Sequence, residues 1–127
     1  MKKSKEKKPL STIDYALQDY KTFVNDKFSN KVKKTKSVNS ILLGLSEECG
    51  EVLGFFKKKL YHKRQDMTRE KLVGELGDMF YYFTALLINQ GISFQEIIDY
   101  NQEKLNKRYP NGFTYEDAEK RRDEKKE

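Results

Sequence analysis

The sequence predicts an all-α fold, a four-helix bundle built around an antiparallel hairpin of two long helices. Three observations point there. Apolar residues recur at helical spacing in four successive segments, with no convincing strand alternation between them. Residues that start and stop helices fall at the ends of those segments. The polar stretch between the second and third segments, His62 to Met67, is short enough to turn a chain back on itself.

In the first segment Leu10, Ile13, Leu17, Tyr20, Val24 and Phe28 form one stripe, with Ser11 or Thr12 placed to cap it. One continuous helix is expected here, followed by a polar connection from Lys31 to Ser37. The second helix is expected from Val38 to Tyr61, with Ile41, Leu45, Val52, Phe56 and Leu60 along its apolar face. Thr68 caps the third, which runs to Gln90 and closes on Gly91. Ser93-Phe94-Gln95-Glu96 is a capping box opening a fourth helix, which ends at Arg108 before Tyr109-Pro110-Asn111-Gly112. The third helix carries Met79, Phe80, Tyr81, Tyr82, Phe83, Leu86, Leu87 and Ile88, so it is apolar nearly all round. A helix of that kind is buried on more than one side, and a homo-oligomer is expected to supply the extra cover.

The chain has 127 residues, one domain's worth. We divide it into a basic tip at 1–9, expected to be disordered, a helical domain at 10–113, and a charged tail at 114–127. The tail has little to bury, so a fraying helix or disorder is expected there. The net charge of +6 is uneven: residues 1–36 hold 11 lysines against 4 acids, and the remainder is nearly balanced. Such a block is commonly just solvated, and contact with nucleic acid or another polyanion is the sharper alternative. Cys49 is the only cysteine, which excludes an intrachain disulfide and suits a reducing, cytoplasmic compartment. No apolar run approaches the ~20 residues that span a bilayer, and the N-terminus lacks the apolar segment of a secretory signal.

Four acids stand apart from the general charge. Glu48 and Glu51 form one pair, Glu75 and Asp78 a second, and a spacing of three puts each pair on one helix face. Both pairs interrupt apolar stripes, where an ionised carboxylate is costly without a cation. Counting rise at about 1.5 Å per residue, the first pair lies ~17 Å before the hairpin turn and the second ~13 Å after it. They can therefore converge, with Glu47 as a fifth candidate. Gly50 and Gly77 sit inside the pairs and suggest either close helix approach or backbone room around a ligand. Salt bridges to Lys57–Lys59, Lys63, Arg69 or Lys71 are the plainer alternative. A di-iron bundle needs Glu-x-x-His motifs, and His62, in the turn, is the only histidine. All-oxygen ligation of Mg2+, or of Mn2+, is the chemistry this donor set favours.

The run Leu45-Ser46-Glu47-Glu48-Cys49-Gly50-Glu51-Val52, a spacer of 23 residues, and Glu75-Leu76-Gly77-Asp78 resembles the MazG-like nucleotide pyrophosphohydrolases of the all-α NTP pyrophosphatase superfamily. The closing segment Asn101-Gln102-Glu103-Lys104-Leu105-Asn106-Lys107-Arg108-Tyr109-Pro110-Asn111-Gly112-Phe113 is also similar to that family's. The resemblance spans about Val38 to Phe113. It implies a MazG-like bundle and Mg2+-dependent hydrolysis of a nucleoside triphosphate between the α and β phosphates, giving a nucleoside monophosphate and pyrophosphate. It assigns metal binding to Glu48, Glu51, Glu75 and Asp78, leaves Glu47 or Glu48 to take a proton, and implies a homodimer or homotetramer.

Candidates for substrate contact are Asn101, Lys104 and Arg108 along one side of the fourth helix, with Lys57 and Tyr82. Their alternatives are a solvated basic helix end, a surface lysine and plain core packing. A non-enzymatic helical module binding nucleic acid through the basic arm is the rival from another class. A degenerate nucleotide sensor is a third possibility.

Overall fold

The computed structural model describes residues 9–124. The disorder expected of the basic tip concerns residues almost all outside that range, as do the last three of the tail. The described residues form six α-helices and a short 3-10 helix, with no strand among them: α1 Thr12–Ala16, α2 Gln18–Lys27, α3 Ser37–Leu60, α4 Arg69–Gln90, α5 Phe94–Arg108, α6 Tyr115–Lys120, and the 3-10 turn Arg122–Glu124. They fall into two units. One is Ala16–Ile92; the other joins the described residues before Ala16 to those from Ser93 onward.

The first unit is organised by the α3–α4 hairpin. Gly44 lies against Tyr82, and Glu48 lies near Asp78 and Glu75, so partner numbers fall on one helix as they rise on the other. The two helices are antiparallel, as the short connection requires. Thr68 accepts a hydrogen bond from the Lys71 amide at 3.3 Å and caps α4. Gly91 ends it in the left-handed region at φ 66°. Within the connection, Asp66 pairs with Arg64 and with Lys71. α2 lies along α4: Tyr20 stacks on Phe80 with ring centroids 5.3 Å apart, and Phe28 on Tyr81 at 5.4 Å. Val24, Val32, Ile41 and Ala85 form the fully buried centre.

Val32 also anchors the lysine-rich connection. The Asn89 amide donates to the carbonyls of Val32 at 2.7 Å and Lys34 at 3.2 Å, while Lys31, Lys33, Lys34 and Lys36 stay exposed.

In the second unit Ser93 caps α5, accepting from the Glu96 amide at 3.1 Å. Asp14 of α1 adds a further cap: its carboxylate accepts from the Phe94 amide at 2.9 Å, the Gln95 amide at 3.2 Å and the Ser11 hydroxyl at 2.6 Å. This explains why the single first helix expected from periodicity is two helices. Leu17 leaves helical geometry (φ −95°, ψ 6°), so α1 ends where its carboxylate serves α5. Beyond Gly112, whose φ is 87°, the tail is more ordered than its composition suggests. Thr114 caps α6, and Asp117 is buried against Arg122.

Candidate functional site

α3 carries Glu47, Glu48 and Glu51, and α4 carries Glu75 and Asp78, all within the Ala16–Ile92 unit. One carboxylate oxygen from each of Glu48, Glu75 and Asp78 lies within 4.8 Å of the other two. Opposite ligands around an octahedral Mg2+ lie about 4.2 Å apart, twice the metal–oxygen distance. Only a small side-chain adjustment is needed for these three oxygens to share an ion. The donor set, all carboxylate, fits a hard divalent cation. Glu51 is exposed one turn further along α3 and is not one of the three.

Electrostatics bind the five acids into one neighbourhood. The Glu48 carboxyl is pushed above the usual glutamate range, first by burial and then by the negative charges of Asp78, Glu47, Glu75 and Glu51. No basic side chain of the described residues pairs with Glu48 to relieve this. Among the described residues Asp66, Glu103, Glu116, Asp117, Asp123 and Glu124 form ion pairs, and none of these five acids does. The salt-bridge alternative therefore has no partner here; Lys71 is turned to Asp66 instead.

Tyr20 belongs to the same surroundings, although the sequence marked it only as part of an apolar stripe. Burial, and then the charge of Asp78, raise its hydroxyl above the usual tyrosine range. No pattern in the sequence links Tyr20 to Asp78; only the docking of α2 on α4 does.

The close helix approach that Gly50 and Gly77 suggested occurs elsewhere. A Cβ added at either would meet nothing within 4 Å, so the backbone room beside the acids is open. Contact is tight at Gly44, one turn before Glu48, where Tyr82 fills the space. Tyr82 is half-buried, edge-on to both Phe28 and Tyr81. Beside the acids lies an apolar groove of 430 Å³ lined by Leu45, Cys49, Leu76, Met79, Phe80 and Phe83.

Lys57 is exposed in the last turns of α3, and His62 is exposed in the connection. Asn101, Lys104 and Arg108 belong to the other unit, on α5. Asn101 is exposed and Lys104 half-buried. Arg108 is gripped by Asp123, with Nε 2.6 Å from one carboxylate oxygen and a terminal guanidinium nitrogen 2.7 Å from the other. The reading of the tail as merely charged left that partnership unseen.

No helix among the described residues is long and apolar enough to cross a membrane. The family model of the MazG nucleotide pyrophosphohydrolase domain matches residues 36–113, a stretch that contains all five acids and ends just past Gly112. No solved structure matches the chain.

Proposed function

The chain belongs to the MazG nucleotide pyrophosphohydrolase family, and from that premise we propose that it hydrolyses nucleoside triphosphates at the α–β bond with a divalent metal, Mg2+ or Mn2+. The observation that carries this reading is the convergence of Glu48, Glu75 and Asp78 within 4.8 Å, with none of the three in an ion pair among the described residues. Glu48 and Glu75 are half-buried and Asp78 exposed; three like charges brought this close repel one another, and a bound cation is the group that offsets it.

In this proposal Glu48, Glu75 and Asp78 hold the ion, and Glu51 turns in from the next turn of α3 to complete the set. Once bound, such an ion neutralises phosphate charge and lowers the pKa of a water molecule beside it. The residues of the chain do the rest. Glu47 or Glu48 accepts the proton as the water oxygen bonds to the α phosphorus; the α–β bridging bond breaks and pyrophosphate departs with its electron pair. Within the Ala16–Ile92 unit Lys57 is the proposed phosphate contact and Tyr82 the proposed neighbour of the nucleotide; on α5, Asn101, Lys104 and Arg108 are proposed as phosphate contacts in their own right.

A homodimer or homotetramer forms part of the proposal. Leu43 and Leu53 of α3 are each 73 % exposed, and Val73, Leu76 and Phe80 of α4 are exposed beside the apolar groove. A second copy would cover that surface. A cytoplasmic setting suits the free, exposed Cys49.

The test is a panel of canonical and modified ribo- and deoxyribonucleoside triphosphates, assayed for monophosphate and pyrophosphate with Mg2+ and with a chelator. Turnover that needs the metal is expected for at least one of them. A chain that binds triphosphates without turning any over would be a sensor, and the catalytic reading would be wrong.

A further inference from the structure

We propose that the C-terminal segment Thr114–Glu124 is a carboxylate strap that competes with phosphate for the basic end of α5. The proposal rests on the reading of Lys104 and Arg108 as phosphate contacts and concerns the regulation of that end.

Arg108 presents two parallel N–H groups, the fork that a phosphate group takes bidentately. Both are already engaged by the two oxygens of Asp123, at 2.6 Å and 2.7 Å. The Asp123 side chain is only 3 % exposed, and the Glu124 carboxylate lies 3.6 Å from the same guanidinium. A cavity of 190 Å³ opens beside them, lined by Tyr100, Glu103, Lys104 and Lys107 of α5 and by Asp123 and Glu124 of the strap. Two lysines, an arginine, Glu103 and two strap acids thus meet at one place, with Lys107 paired to Glu103 at 3.1 Å. The strap acids hold the positions that an anionic ligand would need.

The strap is built so that it can let go. α6 is six residues long, and the one residue it buries is an acid, Asp117, rather than an apolar anchor. Its internal order comes from its own contacts, the Thr114 cap and the Arg122–Asp117 pair, which do not depend on Arg108. Besides the Tyr109–Phe113–Tyr115 ring contacts, the segment is held to α5 by the Arg108 fork. A ligand that offers the same guanidinium more charge and more acceptor oxygens can take the carboxylate's place. A di- or triphosphate carries more negative charge and more acceptor oxygens than one carboxylate. One fork cannot serve both, so phosphate binding and strap docking exclude each other.

The experiment is calorimetric titration of the full chain with inorganic pyrophosphate, without divalent metal. Wild type is compared with the double variant Asp123→Asn/Glu124→Gln and with Arg108→Ala. The double variant should bind pyrophosphate about tenfold more tightly than wild type, since a competing charged contact is removed. Arg108→Ala should lose most of the binding. As a second readout on the unaltered chain, saturating pyrophosphate should speed amide exchange across 114–124. Equal or weaker binding by the double variant, no binding by any form, or unchanged exchange would each overturn the strap. Pyrophosphate binding is read without turnover, so a flat result removes the strap while the hydrolase reading is decided separately by product formation.

Discussion

The ring of Tyr82 rests on the bare backbone of Gly44: a Cβ at that position would collide with Cε1 and Cζ of the ring. This contact draws α3 and α4 together one turn before Glu48 and one turn after Asp78. It fixes the helix spacing on which the meeting of the acids depends, and it involves a glycine outside both acid motifs.

Gly44→Ala should destabilise the chain. Tyr82 is hemmed in by Phe28 and Tyr81, so overpacking should cost about 1–3 kcal/mol. That exceeds the ~1 kcal/mol of helix propensity that alanine gains over glycine. Gly50→Ala, where nothing lies within 4 Å, should instead be stabilising by about 1 kcal/mol. Urea denaturation of the two variants checks the contrast, and equal stabilities would contradict it.

Thr84→Val should raise the melting temperature. The Thr84 hydroxyl is buried in α4 with no hydrogen-bond partner among the described residues. Replacing it with a methyl of similar shape removes an unsatisfied group worth about 1–3 kcal/mol. A lower melting temperature would mean that the hydroxyl has a partner in solution.

The ends of α4 and α5 were legible because their signals are local: Thr68, Gly91 and Ser93 act within a few residues of themselves, and each does so in the structure. The acid pairs were legible for a related reason, since spacing and rise on one short-linked hairpin fix their heights. The break at Leu17 was not. Its cause is Asp14 capping α5 from 80 residues away, and helical periodicity carries no trace of so distant a partner. The order in the tail was hidden likewise. Composition said that the tail at 114–127 had little to bury, but Asp117 is buried by pairing with Arg122, and Asp123 with Arg108. The glycines of the acid motifs drew attention away from Gly44, because its need for a small residue comes from Tyr82, on the other helix.

Mg2+ should raise the melting temperature most near neutral pH. The Glu48 carboxyl is raised by burial first and then by its acidic neighbours. The folded state thus holds that proton more tightly than the unfolded chain does, and metal-free stability falls as pH rises through the Glu48 range. A cation bound to the ionised cluster reverses the loss. Thermal melts with and without Mg2+ at matched ionic strength should show an increment near neutral pH that shrinks as the solution is acidified and binding must compete with protonation. Glu48→Gln should stabilise the metal-free chain and reduce the increment. An increment unchanged in that variant would place the ion elsewhere.

Acid should loosen the tail first. Asp117, Asp123 and Glu124 are held below their ordinary values of 3.8, 3.8 and 4.5, chiefly by hydrogen bonds from Arg122, Arg108 and Arg121 respectively. Acids lowered in the folded state contribute stability that is present above those ordinary values and lost as pH falls through the folded ones. Protonating Glu48 has the opposite sign and relieves the crowding on α3 and α4. Amide protection across 114–124 should therefore decline below about pH 4 before that of α3 and α4 does. Loss in the reverse order would contradict both assignments.

The most direct measurement of the central claim is the rate of pyrophosphate release with Mg2+ from a triphosphate that the wild type turns over, compared with Asp78→Asn. Circular dichroism establishes that both are folded. An oxygen ligand is kept in shape but loses its charge, so the variant should fall by at least about a hundredfold, the scale on which removing electrostatic stabilisation lowers a rate. A folded Asp78→Asn chain releasing pyrophosphate at the wild-type rate would contradict the account.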